Sequence, residues 1–172
     1  MKTSFFQDKI ASLEELGVLL KAANYRESVD LVCTTGAFDM LHPGHVRYLW
    51  RAAEQGDYLL VGIDSDARVR SAKGEHRPFF PEQDRASVVA GLGFVDFVCI
   101  FDDMKTLLDI VSPSILVVSP TSTEDPSFNR KIYAKSRGMT VVEIQEQAKM
   151  HTTDFADRIM QKINNIDKSS GS

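Results

Sequence analysis

The feature that most constrains this chain is the alternation, along almost its whole length, of short apolar runs with helical patterns. LVCTTG at 31–36, YLLVGI at 58–63, FVCI at 97–100, ILVVS at 115–119 and MTVVEI at 139–144 have the length and β-branched content of buried strands. Helical segments separate them: 46–55, with Leu49, Trp50 and Ala53 on one face and Gly56 at its end; 82–90; 105–110; and 129–137, with Gly138 as its cap. A capping box formed by Ser12 and Glu15 opens a helix over 13–23 before the first strand, and another helix is expected over about 152–163. Residues 64–81 read as a polar loop, because Gly74 and Pro78 punctuate them. Strands joined by helices require crossover connections, and right-handed crossovers stack helices on both sides of the sheet. The expected fold is therefore α/β: a Rossmann-like, doubly wound, parallel five-stranded sheet with helices on both faces.

At 172 residues the chain is sized for one domain. We expect that domain over 1–165, with 1–30 as an N-terminal helical extension and 166–172 as a disordered tail. The net charge of −4 argues against a nucleic-acid partner, which leaves a basic footprint. No run approaches the ~20 apolar residues that cross a membrane, and the first residues lack a signal-peptide core, so a cytoplasmic protein is expected. Cys33 and Cys99 each sit inside an apolar strand run without metal-ligand spacing and read as buried structural thiols.

Ligands of such sheets bind beyond the carboxyl ends of the strands, which directs attention to the segment after the first one. There the chain reads TTGAFDMLHPGH, residues 34–45. Gly36 permits a sharp turn and a close approach of backbone to ligand. His42 and His45 flank Pro43 and Gly44 where a helix begins, so two imidazoles meet a helix N-terminus that favours anions. Neither GxxxxGK[ST] nor GxGxxG occurs, so the familiar phosphate cradles are absent. Histidine donors beside a glycine turn suit substitution at the α-phosphorus of a nucleotide, where positioning and charge stabilisation dominate.

The segment resembles the GxFDxLHxGH element of the cytidylyltransferase-like nucleotidyltransferases. The DSD, KG and RP elements within VGIDSDARVRSAKGEHRPFFPEQDR (61–85), with the LEEL helix at 13–16, are most similar to the adenylyltransferase domain of the ADP-heptose synthases. Glycerol-3-phosphate cytidylyltransferase is next. The resemblance implies transfer of AMP from ATP to a phosphorylated sugar of heptose 1-phosphate type, with release of pyrophosphate. CMP transfer to a polyol phosphate such as glycerol 3-phosphate, and a non-catalytic nucleotide-binding relative, stay open as alternatives.

By the same resemblance His42, His45 and Lys73 would be catalytic. Thr35, Gly36, Ala37, Phe38, Arg85, Thr152 and Thr153 would join the two histidines in binding nucleotide. Asp39, Asp64 and Lys73 would face the second substrate, with Asp39 facing the acceptor or a metal. Mg²⁺ would accompany the triphosphate, the protein would be a homodimer, and a separate sugar kinase could be its partner. Two departures bear on activity and on substrate choice. SPTSTEDP (119–126) stands where the family carries a glycine and acidic segment of GGDY or GDDW type, and His151 stands where it carries a serine.

Overall fold

The computed structural model describes residues 6–25, 28–120 and 127–145. Five strands form one wholly parallel sheet: β1 (Leu31–Gly36), β2 (Tyr58–Asp64), β3 (Phe97–Phe101), β4 (Ile115–Val118) and β5 (Thr140–Glu143), in the order β3-β2-β1-β4-β5. The helices are α1 (Leu13–Ala22), α2 (Pro43–Ala53), α3 (Asp66–Lys73), α4 (Glu82–Ala90), α5 (Met104–Val111) and α6 (Arg130–Ser136). A short 3-10 turn, Gln7–Lys9, precedes α1. The expected fold class is the observed one. The expected helix over 152–163 and the tail lie outside the described residues.

Alternation along the strands sorts the core into two layers. Leu31 and Cys33 of β1, Leu60 of β2, and Leu116 and Val118 of β4 face α1, α5 and α6, where Leu16, Leu20, Leu107, Leu108 and Ala134 meet them. Val32, Leu59, Val61, Ile63 and Val117 face α2 and α4, against Tyr48, Leu49, Ala52, Ala86, Val89 and Ala90. Both thiols are buried and unbridged. Desolvation pushes Cys99 up to about 12 and raises Cys33 further, with the neighbouring Cys99 adding to it, so both behave as packing groups.

The capping box of α1 forms as expected: Ser12 Oγ accepts from the Glu15 amide at 3.2 Å, and the Glu15 carboxylate accepts from the Ser12 amide at 2.8 Å. With Leu16 and Leu20 in the core, α1 is an integral layer of the domain. The expected loop over 64–81 is corrected in its first half, where residues 66–73 form α3. Ser65 is its N-cap, its hydroxyl accepting from the Arg68 amide at 3.2 Å, and Val69 is buried beneath it. Trp50, on the helical face read with Leu49 and Ala53, is about half exposed and meets Phe94 edge to face.

β1 is central and pairs with β2 on one side and β4 on the other; the chain runs outward from β1 through β2 to β3, then crosses back over the sheet to β4 and on to β5. The crevice between the carboxyl ends of β1 and β4 is therefore the topological switch point, where open α/β sheets bind ligands.

Candidate active site

The loop from β1 to α2 is built around Gly36 and Phe38. Phe38 is buried and adopts φ of 46°, a left-handed conformation unusual for a bulky residue. Its ring lies over Gly36 so closely that a Cβ there would sit 3.0 Å from it. The ring also packs edge to face against His45, at 5.4 Å between centroids. A Cβ at 36 would crowd the ring, and the ring positions the second histidine.

His42 is the N-cap of α2, with Pro43 in the first turn. Its Nδ1 accepts from the Gly44 amide at 3.1 Å and from the His45 amide at 3.4 Å. An imidazole whose Nδ1 accepts must be neutral with its proton on Nε2, so the hydrogen-bond network assigns His42 an Nε2–H donor. His42 and His45 stack at 3.7 Å with an interplanar angle of 23°. Two imidazoles therefore act as one unit at the positive end of α2. Beside them Leu41, His42, Pro43, Val46 and Arg47 line an open hollow of about 390 Å³.

Asp39 takes a different part from the one expected. It is 2% exposed, and its Oδ1 accepts from the amides of Phe79 (2.7 Å) and Phe80 (3.0 Å). Its Oδ2 lies 2.7 Å from Arg77 Nε, a close ion pair whose atoms are not aligned for a hydrogen bond. The Arg77 guanidinium also lies over the Phe79 ring. Asp39 is thereby closed off from a substrate or metal and ties the segment before α4 to the β1–α2 loop.

Arg85 is likewise engaged inside the protein. At 2% exposure it donates from Nε to Phe80 O, from Nη1 to Ala37 O, and from Nη2 to Asp64 O (2.7 Å) and the Asp66 carboxylate (2.8 Å). The guanidinium expected to meet a phosphate instead clamps the ends of β1 and β2. Ala37 presents its carbonyl to that clamp, and Asp64 gives its carboxylate to Arg68 at 3.0 Å. Arg68 is no loose surface charge, since it also donates to Asp102 O and covers the Phe101 ring.

Lys73 ends α3 with more than a third of its surface open. Its ammonium is held below the usual lysine value, first by desolvation and then by the charge of Arg77, against the pull of Asp64 and Asp39. It therefore belongs to the charged group at this edge of the sheet and is an exposed cation there, as Arg70 is on the same helix. Thr152 and Thr153 lie outside the described residues, as does His151.

Residues 33–169 match the family described as Cytidylyltransferase-like. The chain belongs to the cytidylyltransferase-like family. Among curated relatives, "Bifunctional protein HldE" of Campylobacter jejuni is 49% identical over 115 residues, covering 65% of this chain and 24% of that protein. The protein of the same name from Geotalea uraniireducens is 38% identical over 153 residues, covering 88% of this chain and 31% of that protein. The chain thus spans about a quarter to a third of the length of these relatives. A lipopolysaccharide core biosynthesis protein from Thermoplasma volcanium has a similar structure, with a TM-score of 0.60 and 27% identity over 72% of this chain and all of that one. A pantoate-beta-alanine ligase from Francisella tularensis shares the fold, with a TM-score of 0.55 at 12% identity over 81% of this chain and 67% of that one.

For a cytidylyltransferase-like domain the site has two further properties. Among the described residues no three His, Cys, Asp or Glu side chains gather as a metal cage. The carboxylates of Asp39, Asp64 and Asp66 at this edge are already paired with Arg77, Arg68 and Arg85. The described residues therefore do not fit a protein-held cation at this edge. The second property lies on the opposite layer. Arg130, the first residue of α6, is 7% exposed and extends its Nη1 to within 3.4 Å of Thr35 Oγ1 at the end of β1. Nothing in the sequence marks Arg130 apart from its place after the N-cap Asn129; its burial follows from the packing of α6 beside β1.

Proposed function

We propose that this chain transfers AMP from ATP onto a phosphorylated sugar of heptose 1-phosphate type and releases pyrophosphate. The observation that carries the reading is the stacked His42–His45 pair at the start of α2, fixed by Phe38 from one side and by the helix amides from the other. In the reaction an oxygen of the acceptor phosphate attacks the α-phosphorus of the nucleotide. The bond from that phosphorus to the oxygen bridging to the β-phosphorus breaks, and pyrophosphate leaves with the electron pair. Negative charge builds on the α-phosphoryl and bridging oxygens. The Nε2–H of His42 and the imidazole of His45 donate to those oxygens from fixed positions, and the helix N-terminus adds its dipole. Lys73 supplies mobile positive charge from the edge of the sheet. Backbone at Thr35, Gly36 and Phe38, with Thr152 and Thr153 from the last segment, completes the nucleotide cradle. Mg²⁺ would enter with the triphosphate as part of the substrate and would neutralise phosphate charge.

The length and identity of the match to HldE favour adenylyl over cytidylyl transfer. Those relatives are described as bifunctional and are much longer, which supports a second activity, such as a sugar kinase, on other sequence. We further propose a homodimer acting in the cytoplasm; no described helix is long and apolar enough to cross a membrane. Pyrophosphate release should be measured with ATP or CTP against hexose and heptose 1-phosphates and glycerol 3-phosphate. The expected result is release with ATP and a sugar 1-phosphate. Release only with CTP and glycerol 3-phosphate would transfer the assignment to the polyol reading, and no release with any pair would leave a nucleotide-binding protein.

A further inference from the structure

Arg130 is a buried cation without a counter-charge among the described residues. Its Nε and Nη2 are buried and make no hydrogen bond, and no described carboxylate lies within ion-pair distance. Among the described residues its guanidinium makes a single hydrogen bond, the long one from Nη1 to Thr35 Oγ1. A guanidinium removed from water with most of its donors unsatisfied is costly, and proteins keep such a group where something else supplies the negative charge.

The pattern of what is missing identifies the complement. Nε–H and one Nη2–H form the parallel fork by which arginine grips two oxygens of a phosphate or carboxylate, and this edge is the unsatisfied one. Position adds a second constraint. Thr35 is the penultimate residue of β1, and α6 follows β4, so Arg130 spans the switch point between these two strands. The histidine pair approaches the same strand end from α2, which packs on the opposite face of the sheet. Arg130 and the histidines therefore flank the end of β1 from the two layers.

We propose that the Nε/Nη2 edge of Arg130 is the bidentate seat of a phosphoryl group of one of the two substrates, making Arg130 a substrate-binding residue of the transfer reaction. The inference rests on the nucleotidyltransferase reading above. It requires a group with two acceptor oxygens on one phosphorus, which the pyrophosphate part of the nucleotide and the phosphate of the acceptor both provide. Thr35 Oγ1 orients the guanidinium through Nη1.

The test uses the full chain as wild type, Arg130→Met and Arg130→Lys. Each is titrated by calorimetry with ATP, with pyrophosphate and with mannose 1-phosphate, and its melting temperature is measured without ligand. Arg130→Met should bind roughly tenfold or more weakly, the scale of a lost charge-assisted hydrogen-bond pair. A loss confined to ATP and pyrophosphate identifies the nucleotide as the source, and a loss confined to mannose 1-phosphate identifies the acceptor; either supports the seat. Arg130→Lys keeps the charge without the fork and should recover only part of the affinity. The ligand-free melting temperature of Arg130→Met should be equal to or above that of the wild type, because an unpaired buried charge has been removed. A structural plug predicts the reverse. An Arg130→Met chain that melts lower or fails to fold overturns the proposal, as does one that binds all three probes like the wild type. Should the wild-type chain bind none of them, the nucleotidyltransferase reading itself fails; wild-type binding that Arg130→Met matches for every probe removes Arg130 alone.

Discussion

His42 has two separable tasks: Nδ1 caps α2, and Nε2–H is the proposed donor to phosphate oxygens. A substitution that preserves the first and removes the second tells them apart. Aspartate is a strong N-cap with no donor, whereas alanine is neither cap nor donor. His42→Asp should therefore melt close to the wild type but lose turnover by about 10²-fold or more, the scale of one lost oxyanion donor. His42→Ala should lose turnover to a similar extent and also about 1 kcal/mol of stability. Thermal melts beside pyrophosphate-release rates check both, and near wild-type turnover in His42→Asp would remove the histidine from the chemistry. Gly36, Phe38 and His45 form the complementary chain of contacts, in which a missing Cβ admits a ring and the ring sets an imidazole.

Among the elements, α5 shows how a short helix is held at its start. Asp103 is its N-cap, accepting from the Thr106 amide at 2.6 Å and the Thr106 hydroxyl at 2.7 Å. These bonds stabilise the carboxylate and hold Asp103 below its ordinary value of 3.8. The sign follows from the direction of the shift: a depressed carboxylate contributes stability above its unfolded value and loses it as pH falls through the folded one. Asp103→Ala should cost about 1 kcal/mol near neutrality. The difference in melting temperature between the two proteins should narrow as pH drops below 3.8. A constant difference from pH ~7 to ~3 would show that the carboxylate charge contributes nothing to the cap. The element misread from sequence, α3, depends on the same device. Ser65 caps it and Val69 alone anchors it to the core, so its apolar periodicity was too sparse to register against the glycine and proline that follow.

At the scale of the whole molecule, Arg85 joins parts distant in sequence. It links the β1–α2 loop through Ala37, the end of β2 through Asp64, the start of α3 through Asp66 and the entry to α4 through Phe80. Arg85→Met fills similar volume but leaves Asp66 and three carbonyls without their donor. It should cost about 3 kcal/mol, as expected when one side of a buried charged network is removed. Urea denaturation measures this directly, and a loss below about 0.5 kcal/mol, the range of an ordinary surface substitution, would mean that the clamp is dispensable.

The sheet, its five strands and the histidines at the start of α2 were legible in the sequence because they depend on local rules. Apolar runs of strand length, helical periodicity and an S-x-x-E box each act over a few residues, and the crossover rule orders the rest. What the tertiary structure decided was the partner of each charged side chain. Asp39 and Arg85 have the residue types of substrate ligands, yet packing brings them to Arg77, to backbone amides and to backbone carbonyls of other segments. Arg130 has the residue type of a surface charge, yet the seating of α6 beside β1 buries it and leaves its fork unsatisfied. Residue type states which bonds a group can make, but desolvation and the neighbours supplied by distant segments determine which it does make.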